Sequence, residues 1–435
     1  DDVLLPTFGD FSTPKAFKSS EWRYAKMHVT KTLLAAGIRQ LRPASYRAVV
    51  DDMRARDVLE SNSGWPDFTR RSKPEIKSTA IEDAQSGAWR EYPAIALFRN
   101  YRAKTRLVWM FPMATNLVEG TYYQPLMNAF AAADIEFFAP WKGFDAVREL
   151  VARWYRDPDI VVAASDFSAT DAHFRLDATM EVYEVLSALF RPEYRDGLRE
   201  SLVHMHNIPL VVGPDSIIVG EHGVASGSNW TNFIETVFDM IFAEYVRIKE
   251  NQQKQTKHAV YQGLYAIGDD MSWVAPWYDE KFAKRLERYA ANCGQVTKAE
   301  KTTNDPNKVK SLQRLFQRGY NREDGQVRGV YSTLRALNSS IYPERFHRPK
   351  DWSWQMFAIR QFSILENCVD HPLFEQFVKF VCEGNSHLAE FAKLSIADQN
   401  EAFRKSKLLP GLNTTYNQEK RDSKISDYAS IRIAA

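Results

Sequence analysis

The sequence predicts an α+β fold in which an antiparallel sheet is backed by helices, and three observations carry that expectation. The run Ile160-Val161-Val162-Ala163-Ala164 has the continuous apolar character of a strand buried on both faces, and it delivers Asp166 at its end. Gly263-Leu264-Tyr265-Ala266-Ile267 and Met271-Ser272-Trp273-Val274 flank Gly268-Asp269-Asp270, the pattern of two short strands joined by a tight turn. Between them, Phe233, Ile234, Val237, Phe238, Ile241, Phe242 and Tyr245 recur at helical spacing and make a broad apolar stripe.

The other elements follow in chain order. Residues 17 to 60 place apolar positions at roughly helical spacing until Ser61-Asn62-Ser63-Gly64-Trp65-Pro66 breaks the pattern as a loop. Residues 93 to 113 read as an extended hairpin dense in cations (Arg99, Arg102, Lys104, Arg106), with cations and apolar residues expected to face opposite ways. After the Asp166 strand, Val182, Val185, Leu186 and Leu189 share a helix face before Pro192 stops it. Thr231, Glu235 and Asp239 recur every four residues on the side of their helix away from the apolar stripe. Residues 296 to 326 and the tail from Lys405, with Leu408-Leu409-Pro410-Gly411, are polar and read as loops or mobile ends, whereas helices dominate beyond 335, including 354 to 383.

Composition bounds the function. At 435 residues, with 44% hydrophobic and 13% aromatic residues, the chain can bury two or three structural units. Its longest apolar runs fall far short of the ~20 residues of a membrane span, so a soluble protein without a membrane partner is expected. A net charge of +2 excludes a protein that coats nucleic acid by bulk electrostatics, so RNA contact must come from local placement of charge. Cys293, Cys368 and Cys382 are dispersed, which predicts buried thiols in a reducing compartment. His204, His206 and His222 have no cysteine near them and fall in poorly patterned sequence, which argues against a zinc site. The chain begins at Asp1, and its first stretch has neither an apolar signal core nor an Arg-rich presequence.

Chemistry concentrates in the acids. Carboxylates converging at strand ends need a cation, and a hard divalent ion needs oxygen ligands with open positions for phosphates. Asp269 and Asp270 supply one side of such a site, and Asp166, followed by Asp171, supplies another. Between them Glu221-His222-Gly223-Val224-Ala225-Ser226-Gly227-Ser228-Asn229-Trp230-Thr231 is a glycine-punctuated loop feeding a helix, suited to positioning a sugar or backbone. Taken singly, Ser226-Gly227 reads as an N-cap.

Asp166-x4-Asp171, then Ser226-Gly227 with Thr231, then Gly268-Asp269-Asp270, resemble motifs A, B and C of viral RNA-dependent RNA polymerases. Ser63-Gly64-Trp65-Pro66 resembles motif G, Arg102-Ala103-Lys104-Thr105-Arg106 motif F, and Gly294 through Lys301-Thr302 motif D, with Leu312 to Tyr320 similar to motif E. Gly223 through Ser228, and Tyr342-Pro343-Glu344, look most like polymerases of small double-stranded RNA viruses, the picobirnavirus and partitivirus group.

The resemblance implies a right-hand fold with fingers, palm and thumb. Its implied boundaries are fingers over 1–155, palm over 156–190 and 226–335 around a fingers insertion at 191–225, and thumb with tail over 336–435. It implies template-directed RNA synthesis from nucleoside triphosphates on an RNA template, with two Mg2+ ions, replaceable by Mn2+. Asp166 and Asp269 would ligate the metals and Asp270 assist. Asp171, with Ser226, Gly227, Thr231 and Asn232, would recognise the ribose. Arg102, Lys104 and Arg106 would clamp the triphosphate, Lys301 would donate the proton to pyrophosphate, and Ser63 and Gly64 would guide the template. A viral capsid protein is a further implied partner, and the virion interior and host cytoplasm the implied locations.

One departure stands out. Many positive-strand viral polymerases carry Asn four residues after the motif B Thr, and here that position is Glu235, with Asn232 as the nearby amide. A reverse transcriptase shares the palm acids but places an aromatic residue where this chain has Asp171. A non-catalytic RNA-binding, capsid-associated protein would show a damaged metal site, whereas every acid is present.

Overall fold

A computed structural model describes residues 3–56, 58–101, 104–253, 259–341, 347–409, 412 and 424–435. Arg102, Tyr342-Pro343-Glu344 and Pro410-Gly411 lie outside the described residues. The chain divides into two units, one of Asp1–Trp141 with Trp154–Val309 and one of Lys142–Arg153 with Lys310–Ala435.

In the first unit the strands are β1 (Ala94–Tyr101), β2 (Lys104–Met110), β3 (Val161–Asp166), β4 (Leu210–Gly213), β5 (Ser216–Ile218), β6 (Gln262–Ile267), β7 (Asp270–Ala275) and β8 (Thr303–Asn304). They form two sheets, ordered β6-β7-β3-β8 and β2-β1-β4-β5. The first is antiparallel throughout, and β3 lies inside it between β7 and β8. That interior place explains the unbroken apolar run, because Val161, Val162, Ala163 and Ala164 are all buried. Two buried serines of these strands are hydrogen-bonded: Ser272 Oγ donates to the Ala163 carbonyl at 3.0 Å, and Trp273 Nε1 donates to Ser165 Oγ at 3.0 Å.

Behind the sheet runs the helix Trp230–Gln252, packed on β6 and on the helices Ser20–Ala35 and Leu176–Ser187. A Cβ on Gly263 of β6 would stand 2.5 Å from the Cβ of Ala243, so the missing side chain lets helix and sheet approach closely. Because sheet and helices cover this helix on several sides, Glu235 and Asp239 are buried with the apolar stripe, contrary to a polar outer face.

In the other sheet, Arg99 pairs with Arg106 and Leu97 with Val108. Alternation along the strands therefore puts Arg99, Lys104 and Arg106 on one face together with Leu97 and Val108, not apart from all apolar residues. Leu107 and Trp109 point the other way and join a core cluster with Leu210 and Ala225.

The second unit has its own core around Ile359, Phe362, Leu365, Val378 and Phe391. Lys142–Arg153 belongs to it through Phe144, stacked on Phe316 at 5.6 Å, and through Arg148, whose Nη2 donates to Asp370 at 3.0 Å. The polar stretch expected as loop contains the strands Thr303–Asn304, Lys308–Ser311 and Arg314–Asn321, the last paired antiparallel with Val327–Tyr331. The helical region splits into Trp354–Glu366 and Phe374–Glu383. The end of the tail is a helix, Ala429–Ala434, whose Ala429 and Ser430 N–H groups donate to the buried Glu366 carboxylate. Cys293 and Cys368 are buried, while Cys382 is only partly so.

Candidate active site

Asp166 is the last residue of β3 and Asp270 the first of β7, and the two are direct cross-strand partners. Side chains of such a pair leave the same face of the sheet, with Cα atoms about 5 Å apart. Asp269 occupies the turn beside them, and its carbonyl accepts the Phe167 N–H at 3.0 Å, which fastens the turn to the end of β3. Gly268 opens the turn at φ +57°, and its N–H donates to Thr236 Oγ1 on the Trp230–Gln252 helix at 2.9 Å. A Cβ there would meet Asn232 Nδ2 at 2.9 Å and Glu235 Oε2 at 3.5 Å, so only glycine fits both the conformation and the space.

This density of acids has an electrostatic cost. Burial, then the charges of Asp269 and Asp166, pushes the Asp270 carboxyl up to about 7. Burial raises Asp269 as well, its own backbone N–H and the Arg106 charge pulling the other way while Asp166 and Asp171 add to the rise. Asp269 is exposed to solvent. Glu235 and Asp239 lie deeper, and burial first, then neighbouring acids, holds both well above the usual carboxylate range. Both Asp239 carboxylate oxygens lack a hydrogen-bond partner among the described residues.

Hard oxygen donors at two strand ends, with Asp269 and Asp270 raised by burial and by neighbouring acids, fit a divalent cation, which would relieve that repulsion. Among the described residues no three His, Cys, Asp or Glu side chains lie close enough together to hold an ion by themselves.

The loop before the helix meets β2. Ser226 Oγ accepts the Trp109 N–H at 3.1 Å, so this residue ties loop to strand, while Asn229 stands at the N-cap position. A Cβ on Gly227 would lie 2.0 Å from the Trp109 carbonyl oxygen. Thr231 Oγ1 donates to the Ala225 carbonyl at 2.6 Å, leaving its oxygen free only to accept. Asn232 has its Oδ1 taken by Trp141 Nε1 at 3.2 Å, which turns its NH2 toward Gly268.

Lys301 is exposed at the end of a short turn, Ala299–Lys301. Its segment is anchored beside Asp166, for Ser168 N–H donates to the Val296 carbonyl at 2.7 Å and Thr297 Oγ1 to the Asp166 carbonyl at 3.3 Å. Lys104 and Arg106 are exposed on β2, and Arg106 stands directly opposite Arg99, a like-charge pairing that an anion would stabilise. Asp171 is exposed, and its Oδ1 accepts the Ala172 N–H at 3.1 Å. Ser63 is buried, and Gly64, at φ +68°, packs on Phe111, whose carbonyl oxygen would be 2.6 Å from an added Cβ.

The sequence reading missed four residues of this neighbourhood: Thr236, Trp141, Asn116 and Glu119. Glu119 is the most telling, a buried acid in the apolar helix Met113–Ala133, raised to about 7 by burial. A lone carboxylate in such a run signals a buried polar partner. His206 and His222 have structural partners instead. His206 Nδ1 lies 2.9 Å from the His222 carbonyl and Nε2 2.6 Å from Thr179 Oγ1, while His222 reaches the carbonyls of Gly223 and Ile208.

Residues 101–363 match the family model described as viral RNA-dependent RNA polymerase. The chain belongs to the viral RNA-dependent RNA polymerases. This polymerase is 29% identical over 408 residues to a potential RNA-dependent RNA polymerase of human picobirnavirus, an alignment covering 88% of this chain and 73% of that one. It is 25% identical over 150 residues to the RNA-directed RNA polymerase of Cryptosporidium parvum virus 1, covering 34% and 28%. Its fold is similar to the crystal structure of a human picobirnavirus RNA-dependent RNA polymerase, at TM-score 0.78 and 24% identity over 99% of this chain and 82% of that chain. An insertion-loop deletion mutant of that enzyme matches at 0.76 and 23% identity, over 98% and 80%. The polymerase therefore has the right-hand fold and is an RNA-directed RNA polymerase, taking an RNA template and nucleoside triphosphates in a family that uses divalent metals. No helix among the described residues is long and apolar enough to cross a membrane.

Proposed function

We propose that this polymerase copies the genome of a double-stranded RNA virus, inside the virion and in the host cytoplasm, using Asp166 and Asp269 as the principal ligands of two Mg2+ ions and Asp270 as an auxiliary one. The observation that carries the site assignment is the register of β3 on β7, which puts Asp166 opposite Asp270 with Asp269 in the adjoining turn. Mn2+ fits the same oxygen donors, and a capsid protein remains a proposed partner. Bound there, the ions would neutralise the triphosphate and favour ionisation of the attacking 3′-hydroxyl.

The chain's own residues do the rest. Lys104 and Arg106, with Arg102, draw the triphosphate to the cation face of β2, where Arg99 adds positive charge. Asp171 accepts a hydrogen bond from the ribose 2′-hydroxyl, and Asn232, its amide turned by Trp141, presents donors from the helix. Ser226 retains a hydroxyl proton to give, since its contact with Trp109 uses it only as an acceptor. Gly227 permits the close contact of this loop with β2. Thr231 braces the loop, Ser63 and Gly64 shape the template path, and Lys301 supplies a proton to the departing pyrophosphate.

The domain boundaries proposed are fingers over 1–155 and 191–225, palm over 156–190 and 226–335, and thumb with tail over 336–435. The test is single-nucleotide incorporation on a defined RNA template, with ribonucleotides against deoxyribonucleotides and wild type against Asp171→Ala. Ribonucleotide preference that collapses in the variant supports the assignment, and an unchanged preference rejects it for Asp171.

A further inference from the structure

Two functional segments of the first unit meet on one buried pair of side chains. Glu119, 2% exposed, accepts hydrogen bonds from the Asn229 N–H at 3.1 Å, from Asn116 Nδ2 at 2.9 Å and from the Ser228 hydroxyl. Asn116, also buried, donates to the Gly227 carbonyl at 3.1 Å and accepts from Asn229 Nδ2 on its own carbonyl at 3.0 Å. Its Oδ1 accepts from Arg71 Nη2 at 2.9 Å, and Arg71 Nε donates to the Asn62 carbonyl at 3.0 Å. Asn62 Oδ1 in turn accepts the Gly64 N–H at 2.8 Å, and the Ser63 carbonyl accepts the Met113 N–H at 2.8 Å. Loop 226–229 and segment 62–71 thus have no need to touch, because the first turns of the Met113–Ala133 helix hold both.

Fold stability alone gives little reason for a carboxylate here. Burying a charge is costly, and a well-packed apolar residue at such a position is often at least as stable. What the carboxylate provides is fixed acceptor geometry for three donors, all of them on or beside the loop that precedes the Trp230–Gln252 helix. We infer that Glu119 is a positioning residue for RNA synthesis, acting with Asn116 to lock loop 226–229 to the template-path segment 62–71. The inference rests on the roles proposed above for Ser63, Gly64, Ser226 and Gly227. It makes the lock, through those residues, a determinant of how nucleotide and template bind.

The experiment measures single-nucleotide incorporation by the full chain on a primed RNA template, resolving kcat, KM for nucleotide and KM for template. Glu119→Ala raises both KM values by about tenfold, the loss of three buried hydrogen bonds. Glu119→Gln, which keeps an acceptor oxygen, restores them to within about threefold of wild type. Ser228→Ala removes one donor, gives an intermediate rise, and decides the matter if Glu119→Ala does not fold. A purely structural role lowers the active fraction, and with it kcat, but leaves both KM values in place. Unchanged KM values in Ser228→Ala and in folded Glu119→Ala overturn the inference, as does a Glu119→Gln enzyme no better than Glu119→Ala. Asp269→Ala, run alongside, separates the two levels: activity in that variant overturns the active-site reading itself, whatever the Glu119 variants do.

Discussion

Asp166 and Asp270 stand opposite each other on adjacent antiparallel strands, one closing β3 and the other opening β7. Burial, then the charges of Asp269 and Asp166, raise the cost of ionising Asp270. Most of what the site is expected to do follows from how that repulsion is relieved.

Metal binding is linked to pH through Asp270. Its folded-state value, about 7, lies above that of an unfolded aspartate, so its contribution to stability is present at low pH and lost as pH rises through 7. A divalent ion binds the deprotonated form and reverses the loss. The rise in Tm on adding Mg2+ is therefore larger at pH 8 than at pH 6 and is abolished in Asp166→Ala. Equal rises at the two pH values, or a full rise in the variant, contradict this linkage.

Glu235 stands against Gly268, held well above the usual carboxylate range by burial and by Asp269 and Asp171. A neutral carboxyl is matched in shape by an amide. Glu235→Gln retains RNA synthesis within about tenfold of wild type. Complete loss of activity in a folded variant rejects a neutral role for this side chain.

Asp239 has no hydrogen-bond partner for either carboxylate oxygen among the described residues. Replacing an unsatisfied buried polar group by an apolar one of similar size removes its desolvation cost. Asp239→Leu raises stability by about 1 to 3 kcal/mol in denaturant unfolding. A loss of stability shows that the carboxylate has a compensating partner.

Thr236 holds the acidic turn through the Gly268 N–H. Thr236→Val keeps the shape and removes the acceptor, leaving that buried N–H unpaired at a cost of about 1 to 3 kcal/mol. Because the turn carries Asp269, kcat falls by more than the folded fraction does. A variant with wild-type Tm and kcat shows the contact to be dispensable.

The acids were legible in the sequence because local signals reported them. The short apolar run ending in Asp166 reads as a covered strand, and Gly268 between two such strands marks a turn that only glycine fits. Glu235 and Asp239 were harder to place, since an apolar stripe identifies one buried face and says nothing of what covers the other. Trp141 reaches Asn232 across 91 residues, and Glu366 caps the final helix from 63 residues away, so neither leaves a local trace. The cation face of β2 was misread, because two-residue alternation alone puts Leu97 with Arg99 and Val108 with Arg106; only the juxtaposition of Arg99 and Arg106 depends on strand pairing.

The most direct test compares template-directed ribonucleotide incorporation by wild type, Asp166→Ala and Asp269→Ala in the presence of Mg2+, with folding verified by circular dichroism. Both variants are expected to retain wild-type spectra and to lose at least about a thousandfold in rate. RNA synthesis at a comparable rate in either folded variant contradicts the two-metal assignment.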